Sequence, residues 1–180
     1  MKPGLRRGTV VLVPHQPEWE RIAAETAAKL RDILKDTAVD VQHVGSTAIR
    51  DICAKPIIDI VVGVTDFQQL LAKNPVLEEN GFIFRAQDLP EQYLYVCGGT
   101  DDRTHHIHAV LHGSEPWQNY LNMRDYLNCH SADAKAYAAL KIALASQYPD
   151  DRVRYTAEKH ALIQEILAKA KRWRSEQPDR

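Results

Sequence analysis

From Ile57 to Val64 the chain is an apolar run interrupted only by Asp59 and Gly63. Such a run, without polar alternation, suits a β-strand covered on both faces. It therefore points to a layered fold with this strand inside it. Asp59 is the anomaly. A carboxylate in an apolar strand is costly when dry unless it is paired or bound to a metal. Lys55-Pro56 stands directly before the run, and the proline favours an extended backbone there. The Lys55 ammonium can neutralise Asp59 or reach a phosphate.

Upstream, Val39 to Val44 reads as a strand running into Gly45-Ser46. A glycine lets the backbone approach a phosphate closely, and a serine hydroxyl with nearby N–H groups can hold its oxygens. Alone, the pair is also an ordinary turn. Beside Asp59 it reads as a phosphate-holding turn next to a metal-binding carboxylate, which makes nucleotide chemistry the leading idea. Where a second carboxylate would complete a metal pair, the chain has Val61.

His105-His106-Ile107-His108 adds a second group. Side chains alternate along a strand, so His106 and His108 share one face. Two imidazoles on one face suit zinc, manganese or iron, or act as acid and base near neutral pH. They also suit a solvated edge or a core histidine bonded to backbone. His43, just before the Gly-Ser turn, can join them as a metal ligand or be structural. Arg103, Arg124 and Lys141 are either phosphate-binding cations or surface charges. Trp19, Trp117 and Trp173 fall on apolar helical faces and read as core.

The remaining pattern is mixed. Thr9 to Val13 reads as a short strand ended by Pro14, and Pro17 to Lys35 as an amphipathic helix. Asp66 can cap a helix over about Phe67 to Leu77, disturbed by Pro75. Phe82 to Arg85, Tyr93 to Cys97 and His106 to Leu111 are strand candidates separated by turn signals. After Gly113 the pattern becomes helical, with Ser114 and Ser131 as caps and a last helix over about Val153 to Trp173.

Composition sets bounds. The chain has 180 residues, 44% hydrophobic and 26% charged, which is ordinary for one soluble globular domain. A net charge of −1 and a pI near 6.7 call for neither nucleic acid nor an acidic membrane as partner. Three cysteines without CxxC spacing suggest no disulfide framework and fit a reducing cytoplasm. No stretch approaches the ~20 apolar residues of a membrane helix, and the N-terminus lacks the apolar run of a signal peptide.

Several blocks together resemble the GrpB family. They are Val13-Pro14 with Pro17-Glu18-Trp19, His43-Val44-Gly45-Ser46-Thr47-Ala48, Lys55-Pro56-Ile57-Ile58-Asp59-Ile60, His106-Ile107-His108, Arg124-Asp125-Tyr126-Leu127, Tyr137-Ala138-Ala139-Leu140-Lys141, and Arg154-Tyr155-Thr156 with Lys159. The resemblance spans about Thr9 to Ile166. It implies the nucleotidyltransferase superfamily and an α+β fold, a small mixed sheet with helices packed on it and a C-terminal helical section. In one domain over 1–180, residues 9–113 would be the α/β part and 114–173 the helical part.

That superfamily's pattern is a Gly-Ser turn followed by a strand with two acidic residues one apart. Its carboxylates hold magnesium, with a third supplied by a neighbouring strand. Gly45, Ser46 and Asp59 match, and Val61 does not. The neighbouring strand offers His106 and His108, and imidazole shifts preference from hard magnesium towards manganese or zinc.

The resemblance thus implies a phosphate- or nucleotide-binding protein. Asp59, His106 and His108, with His43, would hold a divalent metal. Gly45, Ser46 and Lys55 would hold phosphate, and the reaction would be nucleotidyl or phosphoryl transfer to a small molecule with a degenerate acidic motif. The alternative is a non-catalytic module binding a nucleotide or a coenzyme A precursor, since related domains occur fused to dephospho-coenzyme A kinase. A third reading is an interaction domain that uses its helical back.

Overall fold

A computed structural model describes residues 2–177 of the chain. The first helix, α1 (Glu18–Leu34), buries Trp19, Ala23, Ala27, Leu30 and Leu34 along one stripe. Glu18 and Glu20 in its first turn and Arg31 in its last suit the helix dipole. Strand β1 (Ala38–Val44) follows, then a single 3-10 turn at Ser46–Ala48, then β2 (Ile58–Val64). Next come α2 (Phe67–Ala72), α3 (Asn74–Glu79), β3 (Ile83–Leu89), β4 (Gln92–Gly98) and β5 (Arg103–Leu111). The chain continues with α4 (Glu115–Cys129), α5 (Ser131–Gln147), α6 (Arg152–Glu158) and α7 (His160–Ser175).

The strands form one sheet in the order β1-β2-β5-β4-β3. Only β2 and β5 run parallel; the other neighbours are antiparallel. The apolar strand β2 therefore lies between β1 and β5, as its unbroken hydrophobicity requires. Ile58, Ile60, Val62 and Val64 of β2 join Ile107 and Ala109 of β5 in a core closed by α1. On the opposite face Val44, Val61 and Val110 pack under Trp117 of α4. Helix α4 is backed in turn by a second cluster in which Tyr126 and Leu127 meet Tyr137 of α5 and Ile166 of α7. The sheet is thus sandwiched between α1 and the C-terminal helices. No helix among the described residues is long and apolar enough to cross a membrane.

Several expectations are corrected. Thr9 to Val13 forms no strand, because its backbone finds no continuous partner. Val10 N–H donates to Pro149 and Val13 pairs singly with Ala54. The helix expected over Phe67 to Leu77 is two helices. Asp66 caps the first by accepting from Gln69 N–H, and Pro75, lacking an N–H, opens the second. The last helix is also two, α6 and α7, parted at Lys159. Ser114 caps α4, but Ser131 is the first residue of α5 and makes no cap bond.

Candidate metal and phosphate site

Register assembles the site. The antiparallel β1–β2 pair sets Val44 opposite Asp59, and the parallel β2–β5 pair sets Asp59 beside His106. Paired residues project on one face, so Asp59, His106 and His108 all point to the α4 side. Asp59 Oδ1 lies 3.2 Å from His106 Nδ1 and 3.4 Å from His108 Nε2. One ligand atom from each residue lies within 4.8 Å of the others. Ligand atoms each about 2.1 Å from one tetrahedral cation stand about 3.4 Å apart, so the spacing fits a single ion. One carboxylate oxygen with two imidazole nitrogens suits zinc or manganese better than magnesium. The Asp59 side chain keeps 26% of its surface open while His106 keeps 12%, so a ligand can approach from the aspartate.

The electrostatics suit that use. Burial alone would raise the Asp59 carboxyl, but the hydrogen bonds and charges of His106 and His108 outweigh it and hold the group far below the carboxylate range. Burial pushes the His106 imidazole down against the pull of Asp59, which favours the neutral, ligating ring. Tyr120 of α4 stacks on His108 with centroids 5.1 Å apart, and its hydroxyl donates to Gln92 Oε1 at 2.8 Å. That contact fixes the His108 ring.

Gly45 touches the carboxylate directly. Its φ is +69°, and a Cβ built there would sit 2.5 Å from Asp59 Oδ2. Only glycine permits both the conformation and the approach. Ser46 lies close enough to Tyr137 of α5 to act on its hydroxyl. Lys55 lies near enough to feel the Asp59 charge, yet burial, then Lys159 and Arg152, push its ammonium down to about 7. It rests 5.2 Å from the centre of the Tyr155 ring. Asp59 is paired with histidines rather than with Lys55.

His43 does not join the group. It pairs with Ile60, and strand alternation turns it to the α1 face while Val44 takes the place beside Asp59. Its Nε2 meets Thr47 Oγ1 at 2.9 Å and so braces the turn, and burial pushes it down to about 4. Arg124 is structural. It donates to Gln42 Oε1 at 2.9 Å and to the His43 carbonyl at 3.1 Å, clamping α4 to β1, and Asp125 links it to Arg174. Lys141 donates to the Cys53 carbonyl at 2.5 Å. Val61 is fully buried under Trp117, so the position of the second carboxylate is dry. Sequence reasoning missed Tyr120, Tyr137, Arg152 and Lys159 as neighbours of the site, since the first three sit on helices that look like surface or core helices and Lys159 is the turn residue between α6 and α7.

Residues 9–169 match the family model described as GrpB protein. The chain belongs to the GrpB family. It is 36% identical over 169 residues to the glutamate-rich protein GrpB of Alkalihalophilus pseudofirmus, covering 91% of this chain and 97% of that protein. The UPF0157 protein YqkA of Bacillus subtilis is 30% identical, with 92% of this chain matched to 48% of its length. Among solved structures, the conserved protein GrpB from Enterococcus faecalis superposes with a TM-score of 0.84 at 31% identity, covering 91% of this chain and 99% of that one. The Cid1 poly(U) polymerase bound to MgGTP superposes with a TM-score of 0.51 at 15% identity, over 74% of this chain and 44% of that one. The last likeness is one of fold. It bears out the expected α+β, nucleotidyltransferase-like sheet for this GrpB-family chain.

Proposed function

We propose that this GrpB-family chain is a phosphate- and nucleotide-binding protein that transfers a nucleotidyl or phosphoryl group to a small molecule. One divalent cation would be held by Asp59, His106 and His108. The observation that carries the reading is the convergence of Asp59 with both histidines of the parallel neighbouring strand, directly against Gly45. When bound, a manganese or zinc ion there would polarise a phosphate oxygen. Gly45 leaves room beside the carboxylate, while the Ser46 hydroxyl and the Lys55 ammonium hold phosphate. Burial pushes Lys55 down to about 7, and an arriving anion favours its protonated, phosphate-holding form. In the transfer an acceptor oxygen forms the new P–O bond as the bond to the leaving phosphate breaks, and the acceptor's proton passes to water at the open edge of Asp59. The description of Cid1 bound to MgGTP supports a nucleoside triphosphate as ligand. Free thiols at Cys53, Cys97 and Cys129 suit a reducing compartment such as the cytoplasm.

One observation favours a second reading. Val61 is sealed in apolar side chains where the superfamily pattern has a carboxylate, which suits a module that binds a nucleotide or coenzyme A precursor without chemistry. Thermal shift with ATP and manganese tests both. Saturating ligand at about 100 times Kd should stabilise the wild type by about 2.7 kcal/mol. Asp59→Asn should abolish the metal-dependent part of that gain, and an unchanged gain would remove Asp59 from the site. His106→Ala with His108→Ala should weaken manganese binding in calorimetry, and equal affinity would reject the histidines as ligands. Stabilisation with neither pyrophosphate nor ADP released from labelled ATP, across a panel of small-molecule acceptors, would select the binding module.

A further inference from the structure

Helix α6 and the turn after it bring further cations beside Lys55 and Asp59, and the site described so far leaves these without a role. Lys159 rests 4.3 Å from the centre of the Tyr155 ring, and Lys55, from the loop before β2, rests 5.2 Å from the same centre. Tyr155 itself is buried, so it forms a floor common to both ammonium groups. Arg152, one turn before that ring on α6, is near enough for its charge to act on Lys55, Lys159 and His106. Behind them Lys141 is buried over the Tyr137 ring at 4.7 Å.

These cations are not neutralised by the protein. No ion pair among the described residues engages Lys55, Lys141, Arg152 or Lys159. The acidic charge that acts on both Lys55 and Lys159 is Asp59, already shared between two histidines. Like charges gathered around one aromatic ring repel, and burial adds to the cost. The Tyr155 and Tyr137 rings offset part of that cost, and a bound polyanion would offset the rest with charge-assisted hydrogen bonds. A single phosphate at the Gly45-Ser46 turn would be matched by Lys55 alone. The further cations extend the positive region from the turn towards α6, which supplies charge for more than one phosphate.

Resting on the reading of Gly45, Ser46 and Asp59 as a phosphate site, we propose that Lys55, Arg152 and Lys159 form a receptor for the terminal phosphates of a nucleoside di- or triphosphate. The ligand class is then a polyphosphate ester rather than a monophosphate. Lys141 contributes charge from behind and holds the loop through Cys53.

The probes are inorganic triphosphate and orthophosphate, titrated calorimetrically into the full chain without divalent cation. The wild type should bind triphosphate at least about tenfold more tightly than orthophosphate. Arg152→Ala with Lys159→Ala should reduce triphosphate affinity by about tenfold or more without weakening manganese binding, since removing two positive charges beside the ligands cannot repel a cation. Triphosphate binding no tighter than orthophosphate, which needs no variant to measure, would overturn the receptor. So would a folded double variant that binds triphosphate as the wild type does. If manganese does not bind but triphosphate affinity still depends on Arg152 and Lys159, the metal reading falls and the receptor stands. If manganese and nucleotide bind and the two cations are irrelevant, the receptor falls and the metal reading stands.

Discussion

Strands β2 and β5 present two unlike faces built from alternate residues of the same short segments. Towards α1, Ile58, Ile60, Val62, Ile107 and Ala109 are all buried and apolar. Towards α4, the same strands carry Asp59, His106 and His108 at one end and Val61, Gly63 and Val110 at the other. The second face is itself divided. The Asp59 end is partly open, and two residues along the strand Val61 is closed under Trp117. Period-two alternation lets one face supply cohesion while the other tolerates charge. A single step of two residues then decides whether a side chain meets ligand or hydrocarbon.

The strongest way to challenge that division is to move charge across it. Val61→Asp restores the acidic pair of the superfamily pattern, but it does so against Trp117, Val44 and Val110, and its neighbours in register are Gln42, already bonded to Arg124, and His108, already engaged by Asp59. An uncompensated buried charge should cost on the order of 3–5 kcal/mol, read as a lower urea midpoint with unchanged slope. A variant as stable as the wild type would mean that α4 yields readily and that the closed end of this face is not closed.

Acid tests the α1 face. His43 and His105 both turn that way, His105 with its Nε2 3.2 Å from Thr26 Oγ1. Burial pushes each down from 6.5 to about 4, against the opposing pull of Asp59. His43 also feels Arg124, Glu20 and His15, and His105 feels His106. Below pH 6.5 the unfolded chain takes up protons that the folded chain refuses until about pH 4. Stability is therefore whole above 6.5 and falls as pH drops through this window. With partial solvent access allowed for, the two rings together should account for about 3 kcal/mol. Denaturant unfolding across the window, compared with His43→Gln plus His105→Gln, checks it. Equal slopes in both proteins would mean that neither ring is kept neutral.

Much of this was legible in the sequence, and the reasons are particular. The apolar run with Asp59, the Gly45-Ser46 turn and the His106–His108 alternation are local patterns, and the fold uses all three. What was not legible depends on register and on packing. His43 adjoins the turn in sequence, yet one step of alternation sends it to the opposite face. The parallel pairing of Asp59 with His106 joins segments separated by α2, α3, β3 and β4, so no local signal announces it. Lys159 falls within the last expected helix as an ordinary charged position and Arg152 just before it, and only the placement of α6 and the turn after it brings them near the loop before β2. The misplaced strand at Thr9 to Val13 failed for the same reason, since strand propensity without a continuous partner leaves only a bridge.

The smallest expected effect isolates the contact where the turn meets the carboxylate. Gly45 has φ +69° and ψ −169°, a conformation that side-chain-bearing residues avoid. Gly45→Ala should lose about 1–3 kcal/mol for the backbone alone. The new methyl would also stand 2.5 Å from Asp59 Oδ2, so the carboxylate must turn away from His106 and His108. Manganese affinity should fall by about tenfold or more, the usual effect of disturbing a residue that positions a ligand. Gly81 supplies the control, because it too has a positive φ, of +87°, but nothing lies within 4 Å of a Cβ there. Gly81→Ala should lose stability and keep manganese affinity. If both variants keep it, Gly45 serves only to make the turn, and the geometry that joins the phosphate side of this site to its metal side is looser than the fold implies.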